Sequence, residues 1–597
     1  MSGFVIRLLG RPCIDRPGDP GYRPRSRKSW ALLAYLLLAD ASPTRSQLAG
    51  MLFAEADDPL RALRWSLSEI RRALGPEASV DGDPVELKLP DGAVADATAL
   101  TRGSWAEAVE VVGLDRELLE GLAIEAAPAF ESWLLSERRR LTAAAEAILH
   151  EAAVALMAQG ALDRARGFAV RAATMSPLDE NHQALLIRLY RLAGDDAAAE
   201  QQYAAWTELL ATELGVPPGV AVEAAMRERP RERVAMPTEA SIEAAIEAGS
   251  ATIAAGAVEA GVSSLRSAVR LADAGRTASP RVRARQVLAE ALIHSLRGLD
   301  EEGLSHLHEA DRLAIEAGDH VSAAQARAEL GYVDFLRARY DRAELWLTEA
   351  LRLSDGSAAV AAKAATYLGS VQSDLANYPA AIARLDEAHR LAEAVADPRR
   401  AAYSLSMRGR VDLIRGDLDQ AEERLTAAAE LAERDHWLSF LPWPQAFLGE
   451  VHLARHEPDR ADEALQQAFA RACQLGDPCW EGLSARGLAL VAEAAGENDR
   501  AFETLLDART RANRLADPYV WLDAHILDAL CDLGRRHHHP ETGRWVDAMR
   551  ELTSRTGMRE LTVRALLHSA ALGQDGDASA AALLAAEIDN PALQRLL

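Results

Sequence analysis

The sequence predicts a mainly α-helical protein in which a small α/β domain precedes a long α-solenoid of helical hairpins. Within the first hundred residues, short runs typical of β-strands flank three helical segments. From about residue 100 onward, alanine and leucine recur at helical spacing, and a small residue returns about every forty residues. Hairpins that repeat in this way bury their faces on one another, so we expect a solenoid.

Composition indicates a soluble, multidomain protein. The chain has 597 residues, of which 49% are hydrophobic and 26% charged, and this length suits about three or four domains. No apolar run approaches the roughly 18 residues that span a bilayer, so we expect no membrane contact. The cysteines are few and scattered, which predicts a reducing, cytoplasmic location without disulfides. They are Cys13, Cys473, Cys479 and Cys531.

The net charge of −24 is distributed unevenly. Residues 1–100 carry equal numbers of basic and acidic groups, so the remainder of the chain holds the whole negative charge. Residues 1–75 alone have 12 basic against 7 acidic side chains. Repulsion between the acidic remainder and phosphates should suppress loose, sequence-independent binding to DNA. Any docking on nucleic acid would therefore depend on the basic N-terminal end.

The N-terminal elements follow from local signals. A first strand is predicted at residues 4–9, followed by turns and one or two further strands up to residue 24. Ser26 is placed to cap a helix over residues 27–39, and Thr44 with Gln47 has the spacing of a capping box for a second helix. The buried face of the first helix is expected to hold Leu32, Leu33, Leu36 and Leu37.

Residues 58–75 predict a third helix with a basic outer face. Asp58 can cap its start, Pro59 suits its first position, and Gly75 ends it. Apolar residues at steps of three and four predict one buried stripe of Leu60, Leu63, Leu67, Ile70 and Leu74. Such a helix fits the major groove of DNA, although a surface helix with solvated arginines has the same pattern.

A wing is predicted after the third helix, because residues 80–89 form two short strands around a turn. Strands, three helices and a hairpin in this order make a winged helix-turn-helix. The predicted wing carries Asp81, Asp83 and Glu86, with only Lys88 opposing them. Its charge therefore disfavours contact with a DNA backbone.

Six segments within residues 1–229 resemble one protein family. Three are similar to the response-regulator-type winged helix of the SARP family of bacterial transcriptional activators: RSRKSWALLAYLLLAD, PTRSQLAGMLF and LRALRWSLSEIRRALG. Three more resemble that family's bacterial transcriptional activator domain: ELLEGLAIEAAPAFESWLLSERRRL, GALDRARGFAVRAATMSP and QQYAAWTELLATELGVPPG. The resemblance implies that the third helix reads the major groove while the wing contacts neighbouring backbone. It also implies repeated promoter sites, recruitment of RNA polymerase and control of secondary-metabolite genes.

Carried over onto this sequence, the resemblance implies that six residues of the third helix contact bases or phosphates. They are Arg61, Arg64, Trp65, Ser68, Arg71 and Arg72. The planar fork of arginine pairs with guanine edges or phosphate oxygens. Trp65 would stack on a sugar or touch a thymine methyl group, unless it packs against the wing. Glu69 is predicted on the same outer face, where it would repel phosphate unless it accepts from a cytosine amino group.

Four further cations are candidates for phosphate contacts. Arg25, Arg27 and Lys28 open the first helix, where plain solvation is the alternative. Lys88 is the corresponding candidate in the wing.

The repeat of about forty residues is anchored by a small residue, with leucine four and alanine seven positions later from Gly261 onward. The anchors are Ala165, Ala199, Gly261, Gly303, Ala343, Ala381, Ala421, Ala461 and Ala501. Glycine precedes four of them by twelve positions, at Gly331, Gly369, Gly409 and Gly449. Small residues at fixed places let paired helices approach closely. The pattern resembles the tetratricopeptide repeat.

We expect four segments: a winged helix-turn-helix domain over residues 1–97, an activator domain over 98–229, a linker over 230–240 and a repeat array over 241–597. The first two anchors belong to the activator domain. The groove of such an array typically holds a peptide or a protein, so the array is expected to sense an unknown protein or small-molecule ligand, or to set the oligomeric state, such as a homodimer on DNA. An aromatic cluster that includes Trp443 either lines a pocket or, as we favour, packs between repeats.

The sequence lacks the motifs of common catalytic and cofactor sites. Lys28, Lys88 and Lys363 are its only lysines, and none follows glycine as a Walker-type phosphate loop requires. No nucleophile elbow, dinucleotide fingerprint or zincin motif occurs. The histidines at residues 537–539 match no structural zinc spacing, even with nearby His525, so a solvated helix end is favoured. We therefore expect no enzyme activity, cofactor or metal.

Two functions are consistent with these patterns. The first is a sequence-specific regulator, an activator as the resemblance implies, that binds double-stranded promoter DNA and RNA polymerase. The second is a repeat scaffold whose winged helix holds protein rather than DNA, which the acidic wing and Glu69 favour. Binding that weakens steeply with salt would distinguish the first from the second.

Overall fold

The computed structural model describes the chain in two compact units. One unit comprises residues 1–148, 530–589 and 593–597, and the other comprises residues 149–529 and 590–592. The residues described are 4–15, 24–39, 42–90, 92–102, 105–124, 127–213, 215–227, 239–254, 258–275, 277–296, 300–354, 356–515, 517–574 and 576–597. Most of the predicted linker therefore lies outside the described residues.

The N-terminal region of the first unit is a winged helix-turn-helix, as predicted. Its elements are β1 (Val5–Arg7), β2 (Cys13–Asp15), α1 (Arg27–Leu38), α2 (Arg45–Phe53), α3 (Pro59–Leu74), β3 (Ser79–Gly82), β4 (Val85–Lys88) and β5 (Val94–Ala95). Strand β1 lies in the middle of a three-stranded sheet, antiparallel to β2 and parallel to β5. Strands β3 and β4 form the separate antiparallel wing, with Val80 opposite Leu87.

The predicted signals set the ends of α2 and α3. Thr44 and Gln47 form a complete capping box at the start of α2. The Asp58 carboxylate accepts from the Arg61 amide at 2.9 Å, and Pro59 takes the first position of α3. Ser26 does occupy the N-cap position of α1, but its side chain makes no capping hydrogen bond.

The core of this domain is formed where α1 and α3 turn their apolar faces inward. Leu63, Leu67 and Ile70 are buried as the stripe predicted. Leu60 departs from that prediction, because it lies in the first turn of α3 and is 46% exposed. On α1 the outer leucines of the predicted buried face, Leu36 and Leu37, are half-buried.

Helices make up the remainder of the chain. The helices before the array are α4 (Asp96–Arg102), α5 (Trp105–Ala108), α6 (Pro128–Ala158), α7 (Leu162–Met175), α8 (Glu180–Leu192), α9 (Asp196–Glu213) and α10 (Val220–Met226). Those of the array are α11 (Glu239–Ala254), α12 (Val258–Ala274), α13 (Ala278–Glu290), α14 (Asp300–Ala317), α15 (His320–Leu336), α16 (Tyr340–Leu353), α17 (Ala358–Asp374), α18 (Tyr378–Ala394), α19 (Pro398–Arg415), α20 (Leu418–Arg434), α21 (Pro442–Ala454), α22 (Pro458–Leu475), α23 (Pro478–Ala494) and α24 (Asn498–Ala512). A π-helical turn, Ala291–Leu296, continues α13. The last helices are α25 (Val520–Arg536), α26 (Thr542–Thr556), α27 (Arg559–Ala571), α28 (Asp577–Ala585) and α29 (Pro591–Gln594).

The predicted repeat is confirmed as a stack of helical hairpins. Each anchor is the fourth residue of the second helix of its hairpin, as Ala343 is in α16 and Ala421 is in α20. The leucines four positions after the anchors from Gly261 onward, and the alanines seven positions after them, are fully buried. A methyl group added at Gly331 would lie 2.6 Å from Cγ of Leu347, so glycine is required where the two helices of this hairpin meet.

The first helices of neighbouring hairpins also pack on one another, α13 on α15, α15 on α17, α17 on α19, α19 on α21 and α21 on α23. Helices that contact both their own partner and their counterparts in adjacent repeats lie on the inner side of a curved stack. We call this side, formed by α13, α15, α17, α19, α21 and α23, the inner face of the array.

Candidate nucleic-acid interface

Helix α3 presents a basic face to solvent. Arg61, Arg64 and Arg72 are exposed, Ser68 is half-buried between them, and Trp65 is 55% exposed. Spacings of three, four, seven and eleven residues place these side chains on one side of the helix. The side chains of Arg61 and Arg64 make no hydrogen bond or ion pair to any described residue. The exposure of Trp65 argues against the alternative that it packs against the wing.

The sequence placed Glu69 on the outer face of α3, and this prediction is wrong. Only 1% of Glu69 is exposed. Its carboxylate accepts from Oγ of Ser29 at 2.6 Å and from the Arg25 amide at 3.3 Å. The helical wheel places Glu69 at the edge of the buried arc, and α1 covers that edge. Glu69 therefore joins α1 to α3 and offers no repulsion to an approaching phosphate.

The contact between Glu69 and the Arg25 amide also positions the cations at the start of α1. Arg25 and Arg27 are exposed, and the hydrogen bond that the Arg25 backbone amide donates to the Glu69 carboxylate holds this end of α1 beside α3. The ammonium of Lys28 instead lies 5.3 Å from the ring centroid of Phe53, the last residue of α2. Of the three candidates, Arg25 and Arg27 are the better placed to extend the basic face of α3.

Arg71 belongs to the wing more than to the basic face. Its Nη2 donates to the Val80 carbonyl at 2.7 Å and to the Asp81 carboxylate at 2.6 Å. The wing is held a second time by Arg45, a residue that sequence reasoning missed. Nε of Arg45 donates to the Gly82 carbonyl at 2.8 Å, and its amide donates to Asp83 at 2.9 Å. No local signal marks Arg45, since its partners lie 37 and 38 residues later.

These tethers change the electrostatics of the wing. Asp81 is paired with the Arg71 guanidinium, and Asp83 accepts from a backbone amide, so two of the three wing acids are engaged inside the domain. Glu86 and Lys88 remain exposed, with their charged atoms 4.0 Å apart. The Arg71 guanidinium compensates the charge of Asp81, whereas Asp83 keeps its charge because a backbone amide carries none, so the wing is less acidic than its sequence alone suggests.

The N-terminal half of α6 packs against the same domain. The rings of Tyr35 on α1 and Trp133 on α6 meet edge to face, with centroids 4.8 Å apart. Two carbonyls that precede α6, those of Leu118 and Leu119, accept from Arg138 at 2.9 and 3.1 Å. The N-terminal half of α6 is thus held against α1 and against the segment that precedes α6.

Helix α6 is also long and apolar enough to cross a membrane by length and composition. Its most apolar window has a mean hydropathy of 1.4, but 72% of that window is buried inside the protein. A core helix passes the same test, so this feature is weak evidence for a membrane span.

The histidines considered for a metal site have separate partners. The His539 ring stacks on Trp545 with centroids 4.8 Å apart, whereas Nε2 of His525 lies 3.5 Å from the Glu450 carboxylate. Both arrangements explain the side chains without an ion.

Comparison with known proteins identifies the segment that follows the winged helix. Residues 90–228 match the family model of the bacterial transcriptional activator domain. The chain therefore carries this domain, and the resemblance to SARP-type activators is confirmed. The match supports a transcriptional activator of this type, a regulatory rather than an enzymatic class. Among curated proteins, no significant match is found.

Several solved structures are similar at low identity. A Rap protein complexed with competence and sporulation factor is 11% identical, with a TM-score of 0.41, and the match covers 60% of this chain and 100% of that one. Mycobacterium tuberculosis EmbR in complex with a low-affinity phosphopeptide is 20% identical, with a TM-score of 0.30, covering 39% and 67%. Yeast Tom70 is 14% identical, with a TM-score of 0.33, covering 79% and 94%.

Proposed function

We propose that the chain activates transcription by binding promoter DNA through α3. The observation that carries this proposal is the exposed face of α3, where Arg61, Arg64 and Arg72 surround an exposed Trp65. A helix of this kind enters the major groove, where arginine forks read guanine edges or hold phosphates. Arg25 and Arg27 would add phosphate contacts beside it. The activator-domain match supports the same function.

RNA polymerase is the expected protein partner, because the resemblance to SARP-type activators implies that the chain recruits it. The domain match over residues 90–228 supports this expectation. The regulated genes would form a secondary-metabolite cluster, as the resemblance implies. A protein that works on chromosomal DNA in a bacterium acts in the cytoplasm. The repeat array would then supply the input, by binding a partner or setting the oligomeric state on DNA.

The experiment begins with the full chain and a pool of random duplexes, from which bound sequences are selected. The dissociation constant of a selected site is then measured by fluorescence anisotropy at several salt concentrations. Each phosphate that the protein neutralises adds about 0.9 to the slope of log affinity against log salt. We expect a selected sequence with repeated half-sites and a slope that decreases in Arg61→Ala and Arg72→Ala.

Arg544→Ala is the matched control, because Arg544 lies on α26 and its side chain is 82% exposed. This variant should keep both the affinity and the slope. If selection enriches no sequence, or if Arg61→Ala and Arg72→Ala both bind like the control, then α3 does not bind DNA.

The scaffold alternative retains one supporting observation. Glu86 is exposed on the wing and faces Lys88, so part of the wing can form ion pairs with a protein. Its other support has gone, because Glu69 is buried and Asp81 is paired with Arg71. We therefore place DNA binding first.

A further inference from the structure

The inner face of the array carries a row of aromatic side chains, one from each of several repeats. Tyr332, Tyr367 and Tyr403 come from the first helices α15, α17 and α19, and Phe440 lies two residues before the start of α21. Successive ring centroids are 4.6, 6.1 and 5.6 Å apart. Tyr332, Tyr367 and Phe440 are buried and Tyr403 is half-buried, so the row is covered in the folded chain.

One segment of the chain lies beside this row, since Tyr519 lines the same cavity as Tyr332 and Tyr403. The connection between α24 and α25 has seven residues, as does that before α21, whereas those before α15 and α23 have two; residue 516 lies outside the described residues. The ring of Tyr519 packs 5.2 Å from that of Phe335 and 6.2 Å from that of Trp443, measured between centroids. We call residues 517–521 the inner segment. It crosses from α15 to α21 and is buried at Asp517, Tyr519 and Trp521.

Tyr519 is held by a polar site built into the inner face. Nη1 of Arg410 donates to its hydroxyl at 2.8 Å, and the hydroxyl donates to Asp374 at 2.9 Å. Asp374 is also bonded to the Arg410 guanidinium at 2.5 Å and to the Tyr340 hydroxyl at 3.1 Å. The guanidinium further lies 4.4 Å from the ring centroid of Trp521. The tyrosine thus completes a fully buried ion pair.

Asp517 forms a second anchor two residues earlier. It accepts from Nε of Arg337 at 2.5 Å and from Nδ2 of Asn181 at 2.8 Å. Arg337 follows the end of α15 on the inner face, whereas Asn181 lies within the matched activator domain. The inner segment therefore touches both the array and that domain.

The Asp374–Arg410 pair is not part of the repeat itself. Asp374 lies seven positions before the anchor Ala381, and the equivalent residues of the other repeats are apolar. They are Leu336, Ile414, Ala454 and Ala494. Replacing a buried ion pair by apolar residues is often neutral or stabilising, so hairpin stacking does not require this pair. Its contacts point to recognition of a tyrosine side chain.

A small apolar cavity beside the ring of Tyr519 is lined by Phe335, Met407, Trp443 and Trp480. The aromatic cluster predicted from the sequence therefore both packs between repeats and borders a cavity.

We propose that the inner segment is an intramolecular ligand of the array, which the array exchanges for a partner peptide presenting a tyrosine two residues after an acidic residue. The acidic side chain takes the place of Asp517 at Arg337, and the tyrosine takes the place of Tyr519 at Asp374 and Arg410. The exchange also breaks the bond from Asn181, so the activator domain loses one of its contacts to the array. This proposal does not depend on DNA binding.

The test uses the full chain and a fluorescent peptide with the sequence of residues 512–522. The double variant Asp517→Ala/Tyr519→Ala removes both anchors of the inner segment. We expect it to bind the peptide at least tenfold more tightly than the wild type, in which the tethered segment competes at a high effective concentration. A control peptide with its aspartate and tyrosine exchanged should not bind. Equal binding of the two peptides, or no binding to the folded double variant, overturns the proposal.

A second measurement covers the case in which the double variant does not fold. The wild type is followed by amide hydrogen exchange with and without the peptide in large excess. Displacement should speed exchange near the start of α25 several-fold, since these amides lose their cover. Tyr519→Phe, which keeps the ring and loses the hydroxyl contacts, should need less peptide for the same effect. Unchanged exchange in both proteins overturns the proposal.

Discussion

Arg64→Ala and Arg71→Ala each remove one arginine side chain from α3, but we expect the first to affect only DNA binding and the second to lower the stability of the protein as well. Arg64 makes no side-chain bond to any described residue, so Arg64→Ala should change the free energy of unfolding by less than about 0.5 kcal/mol. In the proposed complex it loses a base or phosphate contact, which weakens binding by about 1–3 kcal/mol if the contact is to a base. If the contact is to phosphate, the salt slope decreases by about 0.9.

Arg71→Ala acts first on the protein. It removes the bonds to the Val80 carbonyl and to Asp81. The side chains of Arg71 and Asp81 are 44% and 66% exposed, so solvent screens the ion pair. The two contacts together should be worth about 1 kcal/mol. We expect a lower unfolding free energy and faster amide exchange in β3, in addition to weaker binding.

The assay pairs urea unfolding with anisotropy titrations of both variants on the same selected duplex. Arg544→Ala again serves as the control for removal of one exposed arginine. The reasoning would be refuted for Arg64 if the affinity and the salt slope both stayed at wild-type values. It would be refuted for Arg71 if stability and exchange in β3 were unchanged, because the tether would then contribute nothing.

Two further predictions concern the array and its junction with the activator domain. A methyl group at Gly409 would lie 2.7 Å from Cγ of Leu425. Gly409→Ala should therefore lower the free energy of unfolding, measured in urea, by about 1–3 kcal/mol, despite a gain in helix propensity. Gly167 is exposed and has open space around it, so Gly167→Ala should raise the free energy of unfolding by up to about 1 kcal/mol. If both variants changed the free energy of unfolding in the same direction, the packing argument would be contradicted. Burial lowers the pKa of His150 from 6.5 to about 4, so the folded state favours the neutral imidazole. The contribution of His150 to the free energy of unfolding is therefore complete above pH 6.5 and is lost as the pH falls toward 4. Between pH 7 and pH 5 the free energy of unfolding should fall by about 2 kcal/mol more in the wild type than in His150→Gln, because other buried histidines such as His308 titrate in both proteins. An equal fall in the two proteins would contradict this assignment.

Local signals predicted the parts of the fold that depend on neighbouring residues. Capping residues and glycine marked the helix ends at Thr44, Asp58 and Gly75, and the fixed spacing from each anchor to its leucine identified the hairpin contacts. These features lie within one or two turns of a helix or within one repeat. The elements and the repeat architecture could therefore be predicted from the sequence.

Contacts between distant segments could not be predicted in this way. Glu69 lies at the edge of the buried arc on a helical wheel, and its burial depends on Ser29 and Arg25, which lie 40 and 44 residues earlier in the chain. Leu60 fits the apolar stripe but lies beyond the reach of α1. Arg45 and Arg71 engage the wing through its turn and first strand, so the charge of the wing looked more negative in sequence than it is in the fold.

The buried charges around Asp517 limit what can replace the inner segment. Arg337 lies between two carboxylates, since it donates to Glu301 at 2.5 Å as well as to Asp517. Removing one partner of a buried ion pair costs about 3–5 kcal/mol, because the remaining charge loses its compensation. Water entering the vacated site would recover only part of that cost. A partner that displaces Asp517 must therefore bring its own carboxylate to Arg337, and a peptide with tyrosine alone should bind far more weakly than one with both residues.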